Sequence, residues 1–156
     1  MSGQLFRASS TVTVRAPKGD IWALWVDVNG WSSWNDGVAA TRLTDNFKSG
    51  STFTLTTTGG TTAEVRITEV AQGEGFTDET VLPFGTLRNH HRMETVGELV
   101  QVTHEVEAEI DASAVAVFAS RVWPGMQAGL SSSLLELVDL VATEDELVEA
   151  GAGAKA

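Results

Sequence analysis

The sequence contains no cysteine among its 156 residues. This absence excludes a disulfide framework, a thiolate metal site and a cysteine nucleophile. The chain also has no run of about 18 apolar residues, the length needed to cross a membrane. Its first residues, MSGQLFRASS, lack a basic flank followed by an apolar core. We therefore expect a cytoplasmic protein with no signal peptide and no membrane insertion.

Basic residues are scarce, because 10 Lys and Arg oppose 21 Asp and Glu and leave a formal net charge of −11. A phosphate backbone is repelled by such a chain unless a local basic patch opposes the field. Arg88 and Arg92 lie close together, but Glu94 and Glu98 dilute their charge. The sequence therefore predicts no nucleic-acid partner.

The length favours one domain that buries about 70% of the surface of its unfolded chain. We predict that this domain spans residues 1–146. Residues 147–156, which include the low-complexity stretch GAGAKA, are predicted to form a flexible tail.

Hydrophobic periodicity divides the chain into three parts. Residues 5–16 alternate with period two, and after Pro17 a helical spacing runs to about residue 27, which predicts a strand and then a short helix. Six alternating segments joined by hairpin-length turns follow, at residues 38–47, 51–58, 62–71, 76–82, 86–95 and 99–110. From residue 112 apolar residues recur every three or four positions, which predicts a long helix kinked at Pro124 and Gly125.

This order predicts an α+β fold in which a seven-stranded antiparallel sheet has one apolar face. Only the C-terminal helix is long enough to cover that face. We therefore expect the order β-α-α-β6-α, with a curved sheet wrapped around the last helix.

Two stretches carry a resemblance to a known family. They are APKGDIWALWVDVNGWSSWNDGV near the start and the hairpin NHHRMETVGELVQVTHEV. Together with the element order, they resemble the SRPBCC (START-like, helix-grip) superfamily, in its bacterial polyketide cyclase/dehydrase-like branch, over about residues 5–142. The resemblance implies a cavity between sheet and helix that holds a small hydrophobic, lipid- or polyketide-like molecule.

Trp31 and Trp34 stand among residues that usually mark loops. One helical turn apart, they share a side and can close the gap between sheet and helix as core residues. The alternative is that Trp34 or Trp25 lines a ligand cavity.

Alternation places both histidines of the last hairpin on the inward face. His104 is in phase with the valines of its strand, and His91 is in phase with Asn89 and Met93. A two-residue turn at 97–98 makes His91 and His104 direct neighbours. A four-residue loop at 83–86 then places Asp78 opposite His91 and Thr80 opposite Asn89.

The predicted row of Asp78, His91 and His104 has three interpretations. The histidines can be neutral core residues that satisfy each other, contacts for a polar ligand group, or acid–base catalysts near neutral pH. Two histidines and a carboxylate can also ligate a metal, but we predict no metal and no cofactor.

The leading hypothesis is a carrier that binds a small hydrophobic molecule, as a monomer or homodimer. An enzyme of the polyketide cyclase, aromatase or dehydratase type, with His91, His104 or Asp78 as candidate catalytic residues, is the alternative. A second alternative is an interaction module resembling the heat-shock ATPase activator homologues of the superfamily. Cyclases of the family are expected to use basic cavity residues, and every arginine on the predicted strands falls in the outward phase. The predicted ligand-binding residues are Trp34, Phe53, Leu55, Val65, Ile67, Phe76, Thr80, Asn89, His91, Met93, His104, Phe118, Val122, Met126 and Leu130.

Overall fold

The structure, a computed structural model, describes residues 3–142. The predicted tail at 147–156 and the predicted domain end at 146 lie outside these residues. Within the described range, no helix is both long enough and apolar enough to cross a membrane.

Seven antiparallel strands form one sheet in the order β1-β7-β6-β5-β4-β3-β2. The alternating segments predicted from the sequence all form strands, because their period-two pattern gives each one an apolar face. The first strand pairs with the last, so the first two strands of the chain form the two edges of the curved sheet. The strands are β1 (Gln4–Val14), β2 (Val38–Leu43), β3 (Thr52–Thr57), β4 (Thr62–Ala71), β5 (Gly75–Leu82), β6 (Gly85–Val96) and β7 (Leu99–Ile110).

Helical elements pack on the concave side of this sheet. Helix α1 (Lys18–Val26) follows Pro17, and a 3₁₀ helix (Val28–Ser33) continues from it. Trp31 is buried there, and its indole N–H donates to the backbone oxygens of Leu24 and Trp25, both at 3.2 Å. Trp31 therefore stabilises the end of α1, as the core interpretation expects.

The C-terminal helix is irregular before its long segment. A 3₁₀ turn (Ala112–Ala114), α2 (Val115–Val117) and a π-helical turn (Phe118–Val122) lead into α3 (Trp123–Val141). Pro124 lies in the first turn of α3 and has no N–H for a regular i→i−4 bond. The predicted kink is thus realised as a π turn, with α3 running on beyond it.

The π turn corrects one predicted wall residue. A π turn brings residues five apart to the same side of a helix, and the Trp123 ring lies 5.8 Å from the Phe118 ring between centroids. Val122 is turned outward and is 37% exposed. The regular three-to-four spacing wrongly placed Val122 inside and missed Trp123.

The register of β6 and β7 confirms the pairing of His91 with His104. The predicted register of β5 and β6 is wrong by two residues. Leu82 pairs with Gly85, which leaves only Pro83 and Phe84 in the turn. Asp78 therefore lies opposite Asn89 and not His91. A shift of two preserves the side-chain phase, so Asp78 still points inward.

The same shift places Phe76 opposite His91 and Thr80 opposite Leu87. Thr80 is therefore not the partner of Asn89, although it remains buried.

Two apolar clusters fill the concave side of the sheet. The larger one joins α1, the 3₁₀ helix and the second half of α3 to the sheet, around Trp25, Phe53 and Leu137. The smaller one surrounds Phe118, Ala108 and Ile110, with Phe6 and Trp123 packed against it. The candidate site lies between these clusters.

Candidate functional site

A chain of polar side chains crosses the concave face of β5, β6 and β7. The Asn89 amide N–H donates to Asp78 Oδ1 at 3.1 Å. Its oxygen is then free to accept from His104 Nε2, which lies 3.2 Å away. This arrangement selects the neutral tautomer of His104 that carries its proton on Nε2. Asp78, Asn89 and His104 therefore act as one hydrogen-bonded unit.

His91 is packed between two rings. One neighbour is Phe76, whose ring is stacked at a centroid distance of 4.0 Å. The other is His104, stacked at 4.3 Å. The edge of Trp25 closes a third side at 5.6 Å. These contacts leave His91 9% exposed.

Burial holds both inward histidines neutral. It lowers the pKa of His104 from 6.5 to about 4, with a smaller contribution from His90. Burial, and after it repulsion from His104, keeps the pKa of His91 well below its usual value. Desolvation disfavours the charged imidazolium form, and two adjacent imidazolium rings repel each other.

Burial has the opposite effect on the pKa of Asp78, the carboxyl group of this hydrogen-bonded unit. Desolvation raises the pKa of Asp78 to about 7, and the hydrogen bond from Asn89 opposes this only in part. A buried carboxyl group disfavours its ionised form unless charged or hydrogen-bonding partners compensate. Asp78 therefore changes its charge near neutral pH.

A cleft of about 240 Å³ opens between the sheet and α3. Thr57, Asn89 and His104 contribute its polar groups from the sheet. On its rim, the Asp36 backbone N–H donates to the Glu136 carboxylate at 3.1 Å and ties the loop before β2 to α3. The lining residues are Asn35, Gly37, Val38, Leu55, Thr57, Asn89, His104, Val106, Met126, Gly129, Leu130 and Ser133.

A smaller space of about 40 Å³, which we call the inner chamber, adjoins this cleft. The two spaces share Asn35, His104 and Ser133 in their linings. The inner chamber is otherwise lined by aromatic and apolar side chains and by His91, and its residues are Trp25, Trp31, Trp34, Asn35, His91, His104, Ser133, Leu134 and Leu137.

A larger groove of about 490 Å³ lies beside the hairpin that joins β4 and β5. His90 lines it, but both ring nitrogens of His90 already have partners. Its Nδ1 lies 3.1 Å from the Thr77 hydroxyl, and its Nε2 lies 2.6 Å from the Glu107 carboxylate. Charged side chains also line this groove, and His91 borders both the groove and the inner chamber.

The structure divides the predicted ligand-binding residues into groups. Leu55, Asn89, His104, Met126 and Leu130 line the cleft, while Trp34 and His91 line the inner chamber. Asp78 and Thr80 are buried but belong to neither lining. Five of the predicted residues belong to the larger apolar cluster, namely Phe53, Val65, Ile67, Phe76 and Met93. Phe118 belongs to the smaller one.

Sequence reasoning missed several lining residues. Val106 has the inward phase of β7, so alternation alone could have included it. Gly129 lies inside a helix, where glycine is unfavourable and suggests a packing or functional reason. Thr57 and Ser133 carried no comparable signal in the sequence.

Metal ligation receives no support from the described part of the chain. Between residues 3 and 142, no three His, Asp or Glu side chains converge as a ligand set. The register shift also separates Asp78 from the position opposite His91, where the hypothetical ligand set required it.

Comparisons with known proteins show similarity in fold at low sequence identity. The di-domain ARO/CYC protein StfQ from the steffimycin biosynthetic pathway aligns with a TM-score of 0.75 and 14% identity, over 88% of this chain and 50% of StfQ. This chain thus spans half the length of StfQ. Norcoclaurine synthase from Thalictrum flavum aligns with a TM-score of 0.72 and 11% identity, over 90% of this chain and 96% of that chain.

A START superfamily protein from Mycobacterium smegmatis aligns with a TM-score of 0.68 and 13% identity, over 86% of this chain and 97% of that one. The chain has the START-like helix-grip fold. This confirms the α+β fold expected from the sequence. No protein-family model and no curated protein matches the chain. In this fold, the cleft lies between the curved sheet and α3.

Proposed function

We propose that this helix-grip protein binds a small, mostly hydrophobic molecule in the cleft between sheet and C-terminal helix. The observation that carries the proposal is the cleft itself, about 240 Å³ in size and lined by Val38, Leu55, Val106, Met126 and Leu130. Ligand sites are typically concave and mainly apolar, with a few polar groups that fix orientation.

The polar groups of the cleft are suited to orienting such a ligand. His104 and Asn89 are held in place by their mutual hydrogen bond and by the bond to Asp78. A neutral His104 with its proton on Nε2 presents Nδ1 as a hydrogen-bond acceptor. Apolar contact then supplies most of the affinity, and the polar groups select among ligands of similar shape.

The solved structures of similar fold support this proposal as far as the class of protein. They include an ARO/CYC protein, norcoclaurine synthase and a START superfamily protein. Because their identity to this chain is low, they do not name its ligand.

Native mass spectrometry of freshly purified protein tests the proposal. We expect a co-purifying small molecule on the wild-type chain and its loss in Gly129→Phe. A Cβ at Gly129 meets no atom within 4 Å, so the new ring can enter the cleft without displacing backbone. Gly125→Phe is the matched control, since Gly125 has the same free space on the same helix but is not part of the cleft lining.

Two outcomes contradict the binding proposal. One is a bare wild-type chain that also takes up no compound from a panel of apolar small molecules. The other is equal uptake by the wild-type protein and by a folded Gly129→Phe variant.

Acid–base catalysis is a second candidate, favoured by one observation. His104 lines the cleft and, with its proton on Nε2, presents a bare Nδ1 that can accept a proton from a bound molecule. Burial lowers the pKa of His104 to about 4, so it is a weak base at neutral pH. Asp78, whose pKa is raised to about 7, is buried outside the cleft lining and acts on His104 only through Asn89.

Proton exchange at a C–H group separates the catalyst from the carrier. The probe is 2-tetralone, whose α-proton exchange in D₂O is followed by NMR with wild-type protein and with His104→Phe. A catalyst accelerates exchange, and His104→Phe, which removes the base that lines the cleft, loses that acceleration. A carrier binds the ketone and leaves the exchange rate at its value in buffer.

A further inference from the structure

We propose that the inner chamber receives a hydroxyl group of the bound ligand, which donates a hydrogen bond to His91 Nδ1. The ligand class is thus an apolar body that carries a phenol or alcohol group. This inference deepens the proposed binding function and rests on it.

The first support is an unsatisfied polar atom. Among the described residues, His91 Nδ1 is the one buried side-chain nitrogen or oxygen without a hydrogen-bond partner. Buried polar groups are nearly always paired, and an unpaired one costs roughly 1–3 kcal/mol. His91 lines the inner chamber and also the larger groove beside the hairpin that joins β4 and β5. Of these two spaces the inner chamber is the one that shares lining residues with the cleft, so we place the donor group there.

The protonation state of the ring determines which partner it needs. Burial keeps His91 neutral at ordinary pH, so the ring carries one N–H and one bare nitrogen. The ring is also hydrogen-bonded to the Phe76 backbone. Since Nδ1 is the nitrogen without a partner, it is the acceptor, and the ligand must supply the donor.

The surroundings of His91 restrict the direction of approach. Phe76 and His104 cover the two faces of the ring, so only its edge remains for a hydrogen bond. The chamber of about 40 Å³ has room for a hydroxyl group or a water molecule but not for an aromatic ring. The ligand body therefore stays in the cleft and its hydroxyl group reaches past His104.

A carboxylate, the other common polar head group of an apolar ligand, does not suit the inner chamber. A carboxylate has no proton to donate to Nδ1. It also meets the negative charge of Asp78 whenever that residue is ionised, two hydrogen bonds away from His104. Free fatty acids are therefore poorer ligands than alcohols or phenols of equal size.

Equilibrium dialysis with two matched probes tests the inference. The probes are 2-naphthol and 2-methoxynaphthalene, which share one ring system and differ in the O–H donor. We expect the wild-type protein to prefer 2-naphthol by about tenfold, a factor that corresponds to about 1.4 kcal/mol. His91→Phe keeps a ring between Phe76 and His104 but removes the acceptor, so the preference falls to near one.

The control variant is His90→Gln. His90 is the neighbour of His91 on β6, but its ring is bonded to Thr77 and Glu107. It should keep the wild-type preference. His91→Gln, which retains an acceptor oxygen, should recover part of the preference and provides a second variant if His91→Phe does not fold.

The outcomes separate the two proposals. Equal binding of both probes to the wild-type protein overturns the hydroxyl site but leaves the cleft as a binding site. An unchanged preference in folded His91→Phe also overturns it. If neither probe binds the wild-type protein, the hydroxyl site fails for this ligand class, and native mass spectrometry with the panel of apolar compounds decides whether the proposed function fails as well.

Discussion

At the scale of single residues, Asp78 and the two inward histidines influence stability in opposite directions. Between its ordinary value of 3.8 and about 7, folded Asp78 keeps a proton that the unfolded chain has released. Its contribution to the free energy of unfolding therefore falls as pH rises through this window. His91 and His104 have lowered pKa values, so their contributions rise with pH up to about 6.5.

We predict that Asp78→Asn becomes progressively more stable than the wild-type protein as pH rises from 5 to about 7, and that the difference levels off above that pH. The variant keeps an oxygen that accepts from Asn89 but cannot ionise, so the loss of up to about 1.4 kcal/mol per pH unit disappears. Urea unfolding of both proteins at each pH measures the difference, and the histidine contributions cancel in it.

Glu94→Gln is the control for this prediction, because it removes one carboxylate from an exposed position on β6. Its stability relative to the wild-type protein should be nearly independent of pH. A constant difference for Asp78→Asn over the same range would mean that Asp78 is ionised throughout.

At the scale of elements, the π turn determines which side chains of the C-terminal helix reach the core. Trp123 lies within 5.4 Å of Phe6 and 5.8 Å of Phe118 between ring centroids. A regular α-helix would bring Val122, four residues after Phe118, to that position. Because the π turn contains one extra residue, Trp123 takes the position that Val122 would have in a regular α-helix.

We predict that Trp123→Ala destabilises the protein by about 2 kcal/mol, somewhat less than the usual loss for a fully buried aromatic residue, because Trp123 is only partly buried against Phe6 and Phe118. Val122→Ala should cost less than about 0.5 kcal/mol, as expected for a surface substitution. The midpoints and slopes of urea unfolding give both values. The reverse order of effects would indicate a regular helix with Val122 inside.

The elements show how far the sequence predicts the fold. Strand alternation and the two-residue turn at 97–98 were sufficient to pair His91 with His104. The turn at Pro83 and Phe84 was misjudged, because alternation fixes which side chains face inward but not how many residues a turn contains. The π turn was also missed, since a proline in a helical pattern predicts a disturbance without specifying its form.

At the scale of the whole molecule, the cleft separates two apolar clusters that could have formed one core. Leu55 and Phe53 have the same inward phase on β3, yet Leu55 lines the cleft and Phe53 is buried in the larger cluster. Alternation cannot distinguish a wall from a core position, because both exclude water from one face. The candidate site could therefore be predicted from sequence only as a face of the sheet.

Gly129 lines the cleft from α3 at a position where the structure leaves room for a side chain. A glycine inside a helix destabilises it by about 1 kcal/mol relative to alanine, and a Cβ at Gly129 meets no atom within 4 Å. We predict that Gly129→Ala raises the free energy of unfolding by about this amount, measured by urea denaturation. Gly125→Ala, in the first turn of α3 and equally free of neighbours, should gain less. A loss of stability in Gly129→Ala would mean that α3 packs closely against the sheet at this position and that the cleft is closed there.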